Sequence, residues 1–350
     1  MQRIQKRRAG QRQTQNALIG LLSAVSMTRI GLTQLLPLCG SAAWWLSAAC
    51  MLPGLCVYGA LRLLLRHTHT RTLTDCARKL LGNFGGILIM LTLTLPLLLD
   101  GIASLTALIT FFTEGIGARG SQFTLTLLTA SVMLIALNRD GLPRGVYLLR
   151  HVLLVAAAII AINALLDAHP DGIVPLLGEG VPSLLSGIRS AWGMSWVLLL
   201  LLEFPAEEGT RRTPAMFVAL LPCPVILLLL SLTIPPELTV PGRSLASRLV
   251  LPTLFLQPTV QTLAQCLLMM TLFLSIAGSA QLAARFLTSS CQKPKKWVPY
   301  VLIGLLTLTQ LFDISRLWRV LTAFTAWSLV PGVLLLLVLT IARLCRRGRA

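Results

Sequence analysis

The sequence predicts an all-α integral membrane protein: about ten transmembrane helices forming one polytopic domain over residues 1–350. Hydrophobic residues make up 55% of the 350 positions and charged residues 12%, whereas soluble domains carry about 25% charged residues. A helix that crosses a membrane needs roughly 20 mostly apolar residues, and the chain contains a series of apolar stretches near that length. The short connections between them leave no room for a soluble domain.

Ten apolar windows define the predicted spans. Spans 1–5 occupy about 16–166, and spans 6–10 occupy about 191–344. In chain order, the predicted spans are 16–38, 41–64, 83–112, 122–138, 146–166, 191–206, 214–233, 259–286, 297–312 and 320–344.

Positive charge is concentrated on one side of these spans. Both termini and the loops that follow even-numbered spans hold most of the 30 Lys and Arg residues. The positive-inside rule therefore places both termini in the cytoplasm, which requires an even number of spans. Basic residues next to helix ends also account for the net charge of +18, so we expect membrane lipid, and no nucleic acid, as a partner.

Motifs for catalysis and for cofactor binding are missing from the sequence. The eight cysteines form no CxxC pair and no zinc spacing, and there is no GxSxG, Walker or HExxH pattern. We therefore expect neither an enzyme nor a metal or cofactor site. Function is sought where a span is charged or interrupted at mid-depth, because irregular backbone is tolerated there only beside protein or a water-filled cavity.

Span 1 has such a point at residues 26–31 (Ser-Met-Thr-Arg-Ile-Gly). Arg29 is about thirteen residues into the span, where a charge costs at least a few kcal/mol unless it has a partner or a cavity. Gly31 would allow the helix to unwind there. A later start of span 1, with Arg29 near an interface, is the alternative.

Asp100 in span 3 is the natural partner of Arg29. It lies near the middle of a long apolar run and is followed by Gly101. These two are the charged side chains predicted near mid-membrane, so an ion pair between them is our hypothesis. An isolated, neutral Asp100 is the alternative.

Span 6 has a second interruption, at residues 190–196 (Ser-Ala-Trp-Gly-Met-Ser-Trp). Small and polar residues precede a continuous apolar run there, which favours a helix break. Because Trp is also typical of membrane interfaces, an ordinary interfacial start of the span is the alternative.

The chain resembles the B subunits of bacterial spore germinant receptors, which belong to the amino acid–polyamine–organocation transporter superfamily. The resemblance rests on order and spacing over nearly the whole chain rather than on one decisive motif. Its parts are the Leu-Leu-Pro end of span 1 at 35–37, the amphipathic piece 72–82, the basic 4–5 loop with Arg139, Gly141 and Arg150, the outer segment 172–180 continuing to Pro182 and Gly187, and residues 235–238 and 251–253 between spans 7 and 8.

This resemblance implies a five-plus-five inverted repeat, with spans 1 and 6 broken at the midplane. A half-helix N-terminus would bind a ligand carboxylate, Arg29 would add a charge-assisted contact, and Thr28, Ser195 and the face of Trp196 would recognise an amino group or side chain. The expected ligand site comprises Thr28, Arg29, Ile30, Gly31, Asp100, Gly193, Met194, Ser195 and Trp196.

The implied function is nutrient sensing in the spore inner membrane or the cytoplasmic membrane. The ligand would be an amino acid or similar small nutrient, and the implied partners are a larger membrane subunit and a lipoprotein subunit. The alternative is a permease that moves amino acids or polyamines by alternating access. A ligand-gated ion pathway is a third possibility and overlaps with the first.

Overall fold

A computed structural model describes residues 2–115, 122–137, 142–166, 174–178, 180–203, 220–233, 258–289, 297–311, 319–321, 323–324 and 327–347. Most of the described residues are helical, and none of them forms a β-strand. Its α-helices are α1 Gln2–Ile30, α2 Leu36–Cys39, α3 Ala43–Thr68, α4 Leu73–Leu81, α5 Asn83–Thr110, α6 Gln122–Leu137, α7 Leu142–Leu166, α8 Val181–Ala191, α9 Pro222–Thr233, α10 Pro258–Ser289, α11 Val298–Leu308 and α12 Val330–Arg347.

Five irregular helical segments interrupt or extend these helices. Residues Gly31–Leu35 (the 31–35 segment) and Phe111–Gly115 are π-helical. Residues Gly40–Ala42, Met194–Leu202 (the 194–202 segment) and Thr309–Leu311 are 3-10 helical.

Four helical stretches in the described chain are long and apolar enough to cross a membrane. They are Asn16–Thr68, Asn83–Thr113, Val181–Leu202 and Pro258–Leu287. The first has 53 residues and covers both predicted spans 1 and 2. Shorter apolar helices lie within the remaining predicted spans: Thr124–Leu134, His151–Leu166, Pro222–Thr233, Val298–Leu308 and Val330–Cys345. The described part of the chain is thus all-α with four candidate membrane spans, while the count of ten stays a prediction.

Two glycines allow the chain to turn between a short helix and the long helix that follows it. Gly40 (φ 51°) ends α2 before α3, and Gly82 (φ 73°) separates α4 from α5. Positive φ values of this kind carry little steric cost for a residue without a Cβ. The turn at Gly82 folds the short helix α4 back onto the start of α5.

The helical stretch that contains predicted span 6 begins before residue 191. It starts at Val181, with Pro182 in the first turn of α8. Proline is tolerated there because the first-turn N–H groups have no intrahelical acceptor. Gly, Ser and Arg residues within 183–190 lowered the apparent hydropathy of this helix, so part of it was assigned to the outer segment.

Two hydrophobic clusters hold the described helices together. The larger combines α1, α3 and α4 with the 194–202 segment and includes residues of α5 and α10. The smaller joins α5 and α10 with residues of α6 and α11 and includes Val25 of α1. α1, which carries Arg29, and α5, which carries Asp100, therefore contribute to both clusters.

Candidate ligand site at the interrupted spans

The Arg29–Asp100 ion pair predicted from the sequence is present. Arg29 Nη2 donates to Asp100 Oδ1 over 2.5 Å, and the two residues are 5% and 7% exposed. Ser26 Oγ donates to the same oxygen over 2.7 Å. Because Ser26 and Arg29 are three residues apart on α1, they share one helix face, and both side chains hold Asp100 from that face.

The guanidinium of Arg29 keeps unused donor capacity. A guanidinium has five N–H donors, and Arg29 Nε is buried without a hydrogen-bond partner. A buried, unpaired donor costs about 1–3 kcal/mol, and more when the group is charged. This nitrogen could therefore bind a carboxylate oxygen from a ligand.

Span 1 does not unwind after Arg29 but continues as a wider, π-helical turn. α1 runs without interruption to Ile30, and the Leu36 N–H then donates to the Gly31 carbonyl. A bond between residues five apart defines a π-helical turn, and such turns are frequent at functional sites. Thr33 Oγ1 donates to the Arg29 carbonyl over 2.7 Å, which helps to satisfy the carbonyl groups where the helical repeat changes.

Besides Arg29 Nε, one buried polar atom of the 31–35 segment lacks a hydrogen-bond partner. Gln34 is 6% exposed, and its Oε1 has no hydrogen bond. The amide oxygen is an acceptor, so Gln34 complements the donor on Arg29. Gln34 was not among the site residues predicted from the sequence, although a glutamine inside an apolar span is itself a signal of function.

α5 contains a proline near Asp100. Pro96 lies inside the helix, one turn before Asp100. Proline has no N–H, so the carbonyl of Thr92 loses its intrahelical donor and the helix is expected to kink.

Span 6 is broken where the sequence predicted. α8 ends at Ala191, Trp192 and Gly193 form a turn, and a 3-10 helix follows over Met194–Leu202. Ser328 Oγ donates to the Gly193 carbonyl over 3.0 Å, so a side chain from outside the span binds one of the carbonyls exposed by the break.

The interrupted spans pack side by side and antiparallel. α1 contacts the 194–202 segment, while the following 31–35 segment contacts α8. The irregular parts of both spans therefore lie at neighbouring levels. Gly187 of α8 fits closely against Leu35, and a Cβ there would come within 3.5 Å of Leu35 Cδ2.

The structure does not gather all the predicted site residues around one space. Gly31 faces α9, since a Cβ there would lie 2.9 Å from Leu227 Cδ1 and 3.1 Å from Cys223 Sγ. Ser195 faces α3 and donates to the Met51 carbonyl over 3.1 Å.

The other predicted site residues differ in exposure. Thr28 is half-buried, whereas Ile30, Met194 and Trp196 are buried in the larger cluster. Arg29, Asp100 and Ser26 form the polar centre, and the remaining site residues pack around the two breaks.

Several sequence features lie outside the described residues. They are Arg139 and Gly141 of the 4–5 loop, residues 172–173 and 179 of the outer segment, and residues 235–238 and 251–253 between spans 7 and 8. Among the residues that the structure does describe, no group of three or more His, Cys, Asp or Glu side chains could hold a metal ion.

Glu203 follows the last residue of the 194–202 segment and forms a polar contact with α4. Its Oε1 accepts from Thr74 Oγ1 over 2.5 Å, and its Oε2 accepts from the Thr74 backbone N–H over 3.1 Å. Burial raises the pKa of Glu203, and nearby Asp75 adds to this, whereas the bonds from Thr74 and the charge of Arg78 oppose it.

The stability of the protein should depend on the protonation of Glu203. Because its pKa is raised in the folded state, its contribution is fully present below the unfolded value of about 4.3 and is lost as pH rises through the folded value. We expect Glu203→Gln to flatten this part of the pH profile of the unfolding midpoint, measured on the full chain in detergent between about pH 4 and 8. Asp75→Asn should move this part of the profile to lower pH without flattening it, because the charge of Asp75 adds to the raised pKa of Glu203. An unchanged slope in Glu203→Gln would show that Glu203 is not the titrating group.

Comparisons with models of protein families and with curated protein sequences find no match for this chain.

Proposed function

We propose that the protein is a nutrient-sensing membrane subunit of a spore germinant receptor and that Arg29 binds the carboxylate of an amino acid or a similar small nutrient. The observation that carries this proposal is the buried Arg29 Nε, which has no partner and lies two residues before the π-helical turn of span 1. A charge buried at this depth normally marks a ligand or ion pathway.

The rest of the proposed site suits a zwitterion. The unpaired donor on Arg29 can bind a carboxylate through a charge-assisted hydrogen bond. The unpaired Gln34 Oε1 can accept from an ammonium group. Asp100 binds Nη2 of Arg29, so a carboxylate ligand on Nε would share the guanidinium with Asp100 and weaken their pairing.

The proposed architecture follows the same family. It has ten spans in a five-plus-five inverted repeat, both termini in the cytoplasm, and a location in the spore inner membrane or the cytoplasmic membrane. Its proposed partners are a larger membrane subunit and a lipoprotein subunit. Support comes from the π-helical turn in span 1 and the break in span 6, because these are the two spans that such an architecture breaks.

A permease for amino acids or polyamines is the second candidate. The observation that favours it is the packing of the 31–35 segment against α8 and of α1 against the 194–202 segment, because paired discontinuous helices also form the substrate sites of transporters. Uptake of a radiolabelled amino acid into proteoliposomes would distinguish a permease from a sensor.

The binding proposal is tested by ligand-induced stabilisation of the full chain in detergent. The probes are L-alanine and L-leucine, with their decarboxylated amines as matched compounds. We expect the amino acids to raise the unfolding free energy by about 2.7 kcal/mol at a hundredfold excess over Kd. The amines should have little effect, since they cannot bind Arg29 as a carboxylate does.

Gln34→Leu should weaken the response to both amino acids because the acceptor for the ammonium group is lost. Thr94→Val is its control, since Thr94 Oγ1 is another buried polar atom without a partner but lies on α5. Equal stabilisation by amines and amino acids, or the same loss in both variants, would contradict the proposed site.

A further inference from the structure

Glu203 links the 194–202 segment to α4, two elements that pack against the helices carrying Arg29 and Asp100. It ends the 194–202 segment, which packs against α1, and α1 carries Arg29. Its carboxylate binds Thr74 in the first turn of α4. α4 in turn packs along α5, which carries Asp100.

The contact at Thr74 is a helix cap supplied from elsewhere in the chain. The first N–H groups of a helix have no intrahelical acceptor. Thr72 Oγ1 accepts from the Asp75 N–H over 3.0 Å, and Glu203 accepts from the Thr74 N–H. A carboxylate at this end also interacts favourably with the helix dipole. The start of α4 therefore depends on the position of Glu203.

α4 is held tightly against α5 on its other side. A Cβ on Gly85 would lie 2.7 Å from Leu81 Cβ, so the two helices meet closely near the turn at Gly82. Leu73, Cys76, Ala77 and Leu80 are buried on one face of α4, whereas Asp75, Arg78 and Lys79 are exposed. A displacement of α5 relative to the 194–202 segment would therefore strain the Glu203–Thr74 contact.

We propose that Glu203 is a positioning residue that couples the mid-membrane Arg29–Asp100 pair to α4. Two polar contacts join neighbouring elements: Arg29–Asp100 joins α1 to α5, and Glu203–Thr74 joins the end of the 194–202 segment to α4. When Arg29 leaves Asp100, α1 and the 194–202 segment can shift relative to α5, and the cap on α4 loosens. In the proposed receptor, the exposed charged face of α4 would present this change to a partner subunit; that last step rests on the proposed function.

Hydrogen–deuterium exchange of the full chain in nanodiscs tests the coupling without any ligand. Peptides covering α4 are compared with peptides covering α10 as an internal reference. Glu203→Gln should speed α4 exchange by about tenfold or more, because a hydrogen bond to a charged group is lost. Thr74→Val should have a smaller effect, since the backbone N–H of residue 74 remains.

The decisive variants are remote from α4. Asp100 lies about 25 Å along α5 from Asn83, at 1.5 Å per residue. Ser26→Ala and Asp100→Asn should each speed α4 exchange about threefold or more relative to α10. Ser104→Ala is the control, because Ser104 lies one turn after Asp100 and approaches Ser275 instead (3.4 Å between the hydroxyl oxygens); it should leave α4 unchanged.

Two results would overturn the coupling. The first is that α4 exchanges faster in Glu203→Gln, whereas Ser26→Ala, the milder of the remote variants, changes the exchange of α4 no more than that of α10. The second is unchanged α4 exchange in Glu203→Gln itself. Because no ligand is present and the ligand-binding test uses no Glu203 variant, the two proposals can fail independently.

Discussion

Removing either Arg29 or Asp100 is expected to destabilise the protein more than removing both. The pair is buried at 5% and 7% exposure, so a single substitution leaves an uncompensated charge in a low-dielectric interior. Breaking a buried ion pair typically costs about 3–5 kcal/mol, whereas replacing both partners by apolar residues of similar volume is often nearly neutral. We expect Arg29→Met and Asp100→Leu to lose most of the folded protein and the double variant to recover it.

The measurement is the unfolding free energy of the full chain in mild detergent, combined as a double-mutant cycle. Ser23→Ala is the control, because Ser23 is fully buried on the same helix but bonds only to the Ile19 carbonyl one turn earlier. Ser26→Ala should cost about 1 kcal/mol, as one of two donors to Asp100 is removed. Strictly additive losses for Arg29 and Asp100 would mean that the two charges do not stabilise each other.

The Arg29–Asp100 pair could be predicted because lipid penalises isolated charge so strongly. Few charged side chains lie deep within the predicted spans, and each needs a partner or a cavity. The turn at Gly193 was predictable for a related reason: small and polar residues interrupt an otherwise apolar run, and lipid tolerates irregular backbone only beside protein or water.

The form of the interruption in span 1 could not be predicted. Gly31 is compatible with an unwound helix or with a wider helical turn, and the choice depends on neighbouring elements. In the structure, the Thr33 hydroxyl bonds to the Arg29 carbonyl and the Leu36 N–H reaches the Gly31 carbonyl, so the backbone stays hydrogen-bonded as a π-helix. Packing of this segment against α8 and α9 is a tertiary effect that hydropathy does not contain.

The contact of Glu203 with Thr74 was missed because charge at a span end usually has a simpler explanation. An acid after an apolar run is typical of a helix that returns to water. The residues are 129 positions apart, and only the fold brings them together. Local signals nevertheless indicated a helix start at Thr72, since a threonine three residues before an acid is typical of the first turn of a helix.

The second large effect is expected at Gly31, where side-chain volume should separate span 1 from α9. A Cβ there would lie 2.9 Å from Leu227 Cδ1 and 3.1 Å from Cys223 Sγ. Because these are side-chain atoms, we expect Gly31→Ala to be tolerated after a small shift of Leu227. Gly31→Leu adds far more volume and should cost about 1–3 kcal/mol through overpacking, and it should abolish stabilisation by L-alanine because the 31–35 segment is displaced.

A volume exchange distinguishes this contact from a general effect of bulk in the membrane. Leu227→Ala in the Gly31→Leu background should restore much of the stability, since the space that Leu227 gives up can accept the new side chain. Gly59→Leu is the matched control: Gly59 lies on α3, and a Cβ there meets nothing within 4 Å, so added apolar volume should be harmless. Equal losses of stability in Gly31→Leu and Gly59→Leu, or no rescue by Leu227→Ala, would show that the effect of Gly31→Leu does not come from the contact between Gly31 and α9.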